Sequence, residues 1–155
     1  MTLITSRCLT MGDEMPLRFE LGPLERLFIG NSILTNSHER AMFIIEGGET
    51  PILRAKDVIC PNFAVSSIEK LYLCVQRMYL ENDTSKYQAS YLALAAQTIS
   101  KDPYLSADLL TADQHIKSGQ HYKALKYLRK LIRPEAFAIG KADPYARRVA
   151  VGRRN

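Results

Sequence analysis

The spacing of apolar residues changes once along the chain, within the segment 51–80. Before this segment, apolar residues alternate with polar ones in short runs that turn residues interrupt, whereas after it they recur every three to four positions as far as Pro134. Alternation is typical of strands with one buried face, and a period near 3.6 is typical of amphipathic helices. The pattern therefore predicts an α+β protein, with a small N-terminal antiparallel sheet followed by a C-terminal bundle of about four helices.

Short apolar runs in the N-terminal half predict four or five strands. Residues 17–21 alternate between apolar and charged side chains, and residues 26–35 read as a hairpin around a Gly-Asn turn. The run 42–45 is fully apolar, and we expect residues 52–53 to pair back onto it after a Gly-Gly turn. Because these strands are too few for a sandwich, we predict a single small sheet that curls.

The C-terminal half predicts four helices with short connections. Ser66 followed by Glu69 matches a capping box at the start of the first helix. The second helix is expected at roughly 85–100, the third starts at an Asp-Pro pair and stops before Gly119, and the fourth runs from about 120 to 132. Because the connections are short, consecutive helices should pack roughly antiparallel. The residues predicted to face inward on the second and third helices are Tyr91, Leu92, Ala95, Ala96, Ile99, Leu105, Leu109, Leu110 and Ile116.

These patterns divide the chain of 155 residues into four parts. Residues 1–15 show no sustained period and read as an N-terminal extension, because Met15-Pro16 would make a natural start for the folded part. A β subdomain (16–65) and a helical subdomain (66–134) follow, and residues 135–155 read as a basic flexible tail. The folded part is long enough for one ordinary hydrophobic core.

Composition is typical of a soluble globular protein, with 46% hydrophobic and 24% charged residues. No apolar run approaches the ~20 residues that cross a bilayer, and the N-terminus lacks a secretory signal, so we expect a cytoplasmic protein without a membrane partner. Cys8, Cys60 and Cys74 form no CxxC pair. They are therefore expected to be core residues rather than disulfide or zinc ligands.

A search for catalytic groups finds none of the established patterns. There is no GxSxG elbow, phosphate-binding loop or HExxH segment. His38, His115 and His121 are not at ligand spacing, and each is better interpreted as a surface or capping residue. We therefore predict that the protein is not an enzyme and that it needs no cofactor and no metal.

Positive charge is concentrated in the C-terminal half. The formal net charge is +5, and residues 1–15 and 16–60 each carry −1, whereas residues 61–133 carry +4 and residues 134–155 carry +3. An acidic partner such as nucleic acid would be attracted first to the helical part and the tail.

The fourth helix combines an apolar face with a basic one, and no acidic residue occurs between positions 117 and 133. Such a stripe could follow a phosphate backbone, although an ordinary solvated face would show the same pattern. Tyr122 and Tyr127 flank the stripe and could stack on unpaired bases, or simply fill part of the core. The cations of this face are Lys123, Lys126, Lys130 and Arg133, with Arg129 at its edge.

Several segments of the chain resemble one known family. The matching segments are Leu21 to Arg26 (LGPLER), Leu53 to Pro61 (LRAKDVICP), Gln76 to Leu80 (QRMYL) and Tyr122 to Lys126 (YKALK). Through them, residues 16–138 resemble the FlbT family of flagellar biosynthesis repressors. Glu69 departs from the family pattern, in which arginine is usual at this position.

The resemblance implies a cytoplasmic post-transcriptional regulator that binds the 5′ untranslated leader of flagellin mRNA and represses translation or promotes decay of the message. It also implies a functional link with the FlaF regulator, and members of the family differ in whether they repress or activate. Five basic positions that match the family are further RNA-binding candidates: Arg26, Arg54, Lys56, Lys70 and Arg77.

An alternative hypothesis is a protein-interaction module that acts through FlaF or flagellin without direct RNA binding. The nearly neutral N-terminal half favours this alternative, because small RNA-binding sheets usually carry a basic face. Unpaired strand edges would also allow a homodimer through strand addition, although nothing in the sequence requires one.

Overall fold

The computed structural model describes residues 16–47 and 50–137, and it has the predicted α+β class with five strands followed by four helices. The extension 1–15 with Cys8 and residues 138–155 of the tail lie outside the described residues. The elements are β1 (Leu17–Leu21), β2 (Arg26–Ile29), β3 (Ser32–Thr35), β4 (Ala41–Ile45), β5 (Ile52–Arg54), α1 (Ser67–Leu80), α2 (Gln88–Lys101), α3 (Ser106–Lys117) and α4 (His121–Arg129). Short 3₁₀ turns lie at Ala55–Asp57, Pro61–Phe63, Ser85–Tyr87, Pro103–Leu105 and Pro134–Phe137.

The five strands form two antiparallel sheets, which corrects the expectation of one curled sheet. β1 pairs with β4, and β2 lies between β3 and β5 in the second sheet. The expected β4–β5 pair is therefore wrong, whereas the β2–β3 hairpin is confirmed, with Gly30 at φ +54° in its turn. Pairing β5 with β2 sets Leu53 opposite Phe28, and both side chains then pack against the helices.

The two sheets enclose a small core of their own. Leu21, Leu27 and Ile52 are buried there, and side chains from the inner faces of both sheets pack around them. The apolar run 42–45 forms β4 as predicted, but only one of its faces is covered, since Met42 and Ile44 are 64% and 58% exposed. Successive residues of a strand point to opposite faces, so Met42 and Ile44 lie on the face of β4 that is turned away from this core.

The helices enclose a larger core, to which Leu53 of β5 also belongs. α1 packs on α2 and on α4, and α3 packs on α4. Cys60 and Cys74 are both buried, as expected, and Cys74 belongs to this core; burial raises the pKa of both thiols. The capping box at Ser66 is also confirmed, since its side chain accepts from the Glu69 N–H and Glu69 caps the Ser66 N–H in return.

The inward faces of α2 and α3 are narrower than the apolar pattern predicts. Leu92 and Leu110 are 56% and 59% exposed, whereas Thr98 and Ala112 are buried instead. The Thr98 hydroxyl can be buried because it donates a 2.7 Å hydrogen bond to the carbonyl of Leu94 one turn earlier. The expected glycine at the end of α3 is confirmed, with Gly119 at φ +75°.

The C-terminal end of the fold differs from its prediction in two respects. α4 stops at Arg129 rather than near 132, and residues 130–132 continue as a tighter turn in which each N–H bonds to the carbonyl three residues back. The first residues of the predicted flexible tail are folded, because Phe137 is buried and packs edge-on against Tyr72 at 5.1 Å between ring centroids.

Candidate nucleic-acid interface

The connection from β5 to α1 is fixed by polar side chains of α1. The Tyr79 hydroxyl bonds to both the N–H and the C=O of Ile52, at 3.1 and 3.3 Å. The amide of Gln76 bonds in the same double way to Ile59, at 2.9 and 3.1 Å. These contacts satisfy backbone groups that no strand partner reaches.

The same helix places the 3₁₀ turn Ala55–Asp57 beside α4. The Tyr72 hydroxyl donates a 2.5 Å hydrogen bond to the Asp57 carbonyl, and burial raises the pKa of Tyr72, so the phenol remains a proton donor. The Asp57 carboxylate forms an ion pair with Arg129. The Arg129 guanidinium also lies over the Phe137 ring, 5.1 Å from its centroid.

Arg129 and Arg133, two of the five predicted cations of the fourth helix, thus form ion pairs with carboxylates of the protein itself. Arg133 donates to the carboxylate of Glu69 at 3.1 Å, and Glu69 is almost fully buried. Burial opposes ionisation of Glu69, but the Ser66 and Val65 N–H groups and Arg133 together outweigh it and hold the pKa of this carboxyl below its ordinary value. Glu69 is therefore a structural acid at the start of α1.

Lys123, Lys126 and Lys130 remain as an exposed row, which we call the lysine row. Within residues 16–47 and 50–137, no carboxylate forms an ion pair with any of the three. The Lys126 ammonium lies over the ring of Tyr122, 5.2 Å from its centroid. The row is therefore a surface of positive charge that the described part of the chain does not neutralise.

The two tyrosines beside the lysine row differ in availability. Tyr122 is 42% exposed, and its ring meets that of Tyr79 at 6.0 Å between centroids. Tyr127 is half-buried and donates a 2.7 Å hydrogen bond to Asp108 on α3. Of the two stacking candidates, Tyr122 is therefore the more exposed.

Tyr122 stands between two clefts of similar size. Cleft A has a volume of about 370 Å³, and its lining includes Leu53, Tyr72, Tyr122, Leu125, Lys126 and Lys130. Cleft B has a volume of about 350 Å³, and its lining includes Pro51, Met78, Tyr79, His121, Tyr122 and Lys123. His121, which begins α4, is also held by a 2.8 Å hydrogen bond to Thr84, and this contact fixes the start of the helix.

Three of the five further RNA-binding candidates gather at a third cleft of about 510 Å³. Arg26, Arg54 and Lys56 line it together with Phe137, the ring on which Arg129 stacks, so this cleft adjoins the C-terminal end of α4. Arg26 is only 8% exposed and forms part of the wall. The Arg54 guanidinium lies over Phe19 at 5.3 Å, and Lys56 is exposed.

The two remaining candidates are not brought together with these groups by any contact that the structure shows. Arg77 is stacked over Tyr87 at 6.0 Å and lines a separate cleft with Glu81 and the β2–β3 turn. Lys70 is exposed on α1, next to Glu69. Sequence reasoning thus found the lysine row and Tyr122, but it missed the cleft walls that β5 and α1 contribute.

Comparisons with known proteins agree with the resemblance. A family profile described as "Flagellar protein FlbT" matches residues 17–139. The probable flagellum biosynthesis repressor protein FlbT of Rhodopseudomonas palustris (strain TIE-1) is 46% identical over 121 residues, which are 78% of this chain and 95% of that protein. The probable flagellum biosynthesis repressor protein FlbT 1 of Bradyrhizobium diazoefficiens is 36% identical over 129 residues, which are 83% of this chain and 88% of that protein.

A more distant relative, the flagellum biosynthesis repressor protein FlbT of Caulobacter vibrioides, is 25% identical over 129 residues, which are 81% of this chain and 91% of that protein. No solved structure matches the chain. None of the described helices has the length and apolar character that a membrane span requires. Because the profile and these relatives cover most of its length, the chain belongs to the FlbT family of flagellum biosynthesis regulators.

Proposed function

We propose that this chain is a cytoplasmic post-transcriptional regulator that binds the 5′ untranslated leader of flagellin mRNA and represses its translation or promotes its decay. One observation carries the RNA-binding part of this proposal. The lysine row is exposed on one face of α4, and the described residues supply no carboxylate to pair with it. A partner rich in phosphate would complete this surface.

The geometry of the row suits a nucleic-acid strand. Lys123 and Lys126 lie on α4 and Lys130 follows its last residue, still in helical conformation. Because they are three and four positions apart, the three lysines share one face and span about 10 Å along the helix axis. Each phosphate contact to a single strand releases counterions and contributes about −0.7 to the slope of log K against log salt concentration. Three contacts should therefore give a slope of about −2.

The test is a charge reversal with a matched control. The triple variant Lys123→Glu, Lys126→Glu and Lys130→Glu should bind flagellin leader RNA at least about tenfold more weakly, and its salt slope should be smaller by about 2. The control, Arg18→Glu, Lys86→Glu and Lys117→Glu, changes net charge equally at exposed positions that are not candidates for RNA binding, and it should keep most of the affinity. Fluorescence anisotropy of labelled RNA across a salt series measures both quantities.

Two outcomes would count against the proposal. If the wild-type protein binds no leader RNA at moderate salt, direct recognition is wrong. If both triple variants lose affinity equally, the lysine row is not the binding surface, and the effect is one of net charge alone.

The alternative function is a protein-interaction module that acts through the FlaF regulator or flagellin. Exposed apolar side chains support it, namely Met42 and Ile44 on β4, Leu92 on α2 and Leu110 on α3. Met42 and Ile44 lie on the same face of β4, and adjacent exposed apolar side chains are typical of surfaces that contact another protein. A pull-down with FlaF and flagellin after nuclease treatment separates the two functions, because only a direct protein complex survives the nuclease.

A further inference from the structure

Tyr122 separates two neighbouring clefts, and we call this side chain the partition. It lines both cleft A and cleft B, and the two clefts have similar volumes, about 370 and 350 Å³. Both are at the lower end of the range for small-molecule pockets, roughly 300–1,000 Å³. Each therefore has the size of a site for a small planar group rather than for a protein segment.

Each cleft has an apolar side and at least one lysine among its lining residues. Leu53, Tyr72 and Leu125 form the apolar side of cleft A, whose lining also includes Lys126, Lys130 and the Asp57–Arg129 ion pair. Pro51 and Met78 form the apolar side of cleft B, and the rest of its lining is largely polar and includes Lys123. An apolar slot beside a cation matches a nucleotide, whose base is a flat ring and whose phosphate is an anion.

Resting on the RNA-binding function above, we propose that Tyr122 separates two successive unpaired nucleotides of an RNA strand, with one base in cleft A and one in cleft B. The phosphates then lie along the lysine row. Lys126 already sits over the exposed Tyr122 ring, and it moves to a phosphate when a base takes its place on that ring. The tilted contact with Tyr79, at 6.0 Å, holds the partition in position.

This arrangement selects single strands. The bases of a duplex are stacked on one another and paired, so their faces cannot enter clefts on a protein surface, whereas a splayed base can stack on an aromatic side chain. The site should accordingly prefer an unpaired stretch of RNA to a duplex of the same composition. It should show little preference among base sequences, because every base offers a face for stacking.

The absence of tryptophan from the chain provides a direct optical test. In a Tyr122→Trp variant all tryptophan emission comes from the partition, and a short single-stranded RNA from a flagellin leader should quench it. The same RNA annealed to its complement should not quench it. The matched control is Tyr104→Trp, a 93% exposed position near the start of α3 that lines neither cleft, and its emission should be unchanged by either RNA.

The second measurement is the affinity of Tyr122 variants for single-stranded RNA. Loss of one stacking platform should weaken single-strand binding by about 5- to 150-fold in Tyr122→Ala, whereas Tyr122→Phe should bind nearly as the wild type does. If Tyr122→Trp binds RNA without quenching, or Tyr122→Ala keeps full affinity, the partition is wrong while RNA binding through the lysine row stands. If the wild-type protein binds no RNA at all, the proposed function fails as well.

Discussion

The two halves of the molecule are stabilised to different degrees by burial. Within residues 16–47 and 50–137, the helical half surrounds a cluster of seventeen buried apolar residues, whereas the cluster between the two sheets contains three. β5 belongs to both, since Leu53 faces the helices and Ile52 faces the other sheet. The helices therefore provide the rigid body, and the sheets are held to it through β5 and the connection that follows.

The largest expected effect comes from removing one buried leucine from each core. Leu71 and Leu27 are both fully buried, so the transfer of either side chain from water contributes equally. Leu71→Ala should lower the free energy of unfolding by an amount near the top of the range of about 2–5 kcal/mol, because the surrounding helices cannot collapse into the cavity. Leu27→Ala should lower the free energy of unfolding by an amount near the bottom of this range, because the two small sheets can approach each other and partly fill the cavity. Urea denaturation measures both, and equal losses would show that the cores are equally rigid.

A smaller effect should follow from cutting the link between the halves. In Gln76→Met the N–H and C=O of Ile59 lose their partners while side-chain volume is nearly kept, which should cost about 2–3 kcal/mol. Hydrogen exchange should then accelerate in β2 and β5 more than in α3 and α4. The control is Gln97→Met on the exposed face of α2, for which we expect a change within about 0.5 kcal/mol. Uniform loss of protection in all elements would mean that the link carries no separate role.

The same contrast explains which parts of the fold could be predicted. Helices are defined by neighbours three and four residues apart, so the capping box at Ser66 and the glycine after α3 were visible in the sequence. Strand partners are set by contacts between distant residues. The apolar run of β4 was equally compatible with β5, and the side chains of α1 that contact β5 come much later in the chain.

In the candidate site, too, the features set by helical spacing could be predicted, whereas those set by contacts between distant residues could not. The lysine row follows from helical spacing alone, whereas cleft A combines Leu53 of β5 with Tyr72 of α1 and Tyr122 of α4. The sequence also could not show that Arg129 and Arg133 are held by Asp57 and Glu69, because these pairs join residues more than sixty positions apart. Among the described residues, the cations of this face that form no ion pair are therefore fewer than the helical wheel predicts.

The smallest effect should be a pH-dependent one at the Glu69–Arg133 pair. The pKa of Glu69 is lower in the folded protein than in the unfolded chain, where it is about 4.3. The ionised carboxylate therefore stabilises the fold at a pH above about 4.3, and this contribution disappears as pH falls through the folded-state pKa. Glu69→Gln keeps a capping residue but loses the charge, and it should cost about 1–2 kcal/mol at pH 7. At pH 3 its difference from the wild type should be smaller than at pH 7, because the contribution of the charge is lost as pH falls. Glu20→Gln, which removes an exposed ion pair with Arg40, serves as the control and should cost about 0–1 kcal/mol at pH 7.

A deficit for Glu69→Gln that stays constant between the two pH values would show that the amide disturbs the cap by its shape, and that the charge of Glu69 does not stabilise the start of α1.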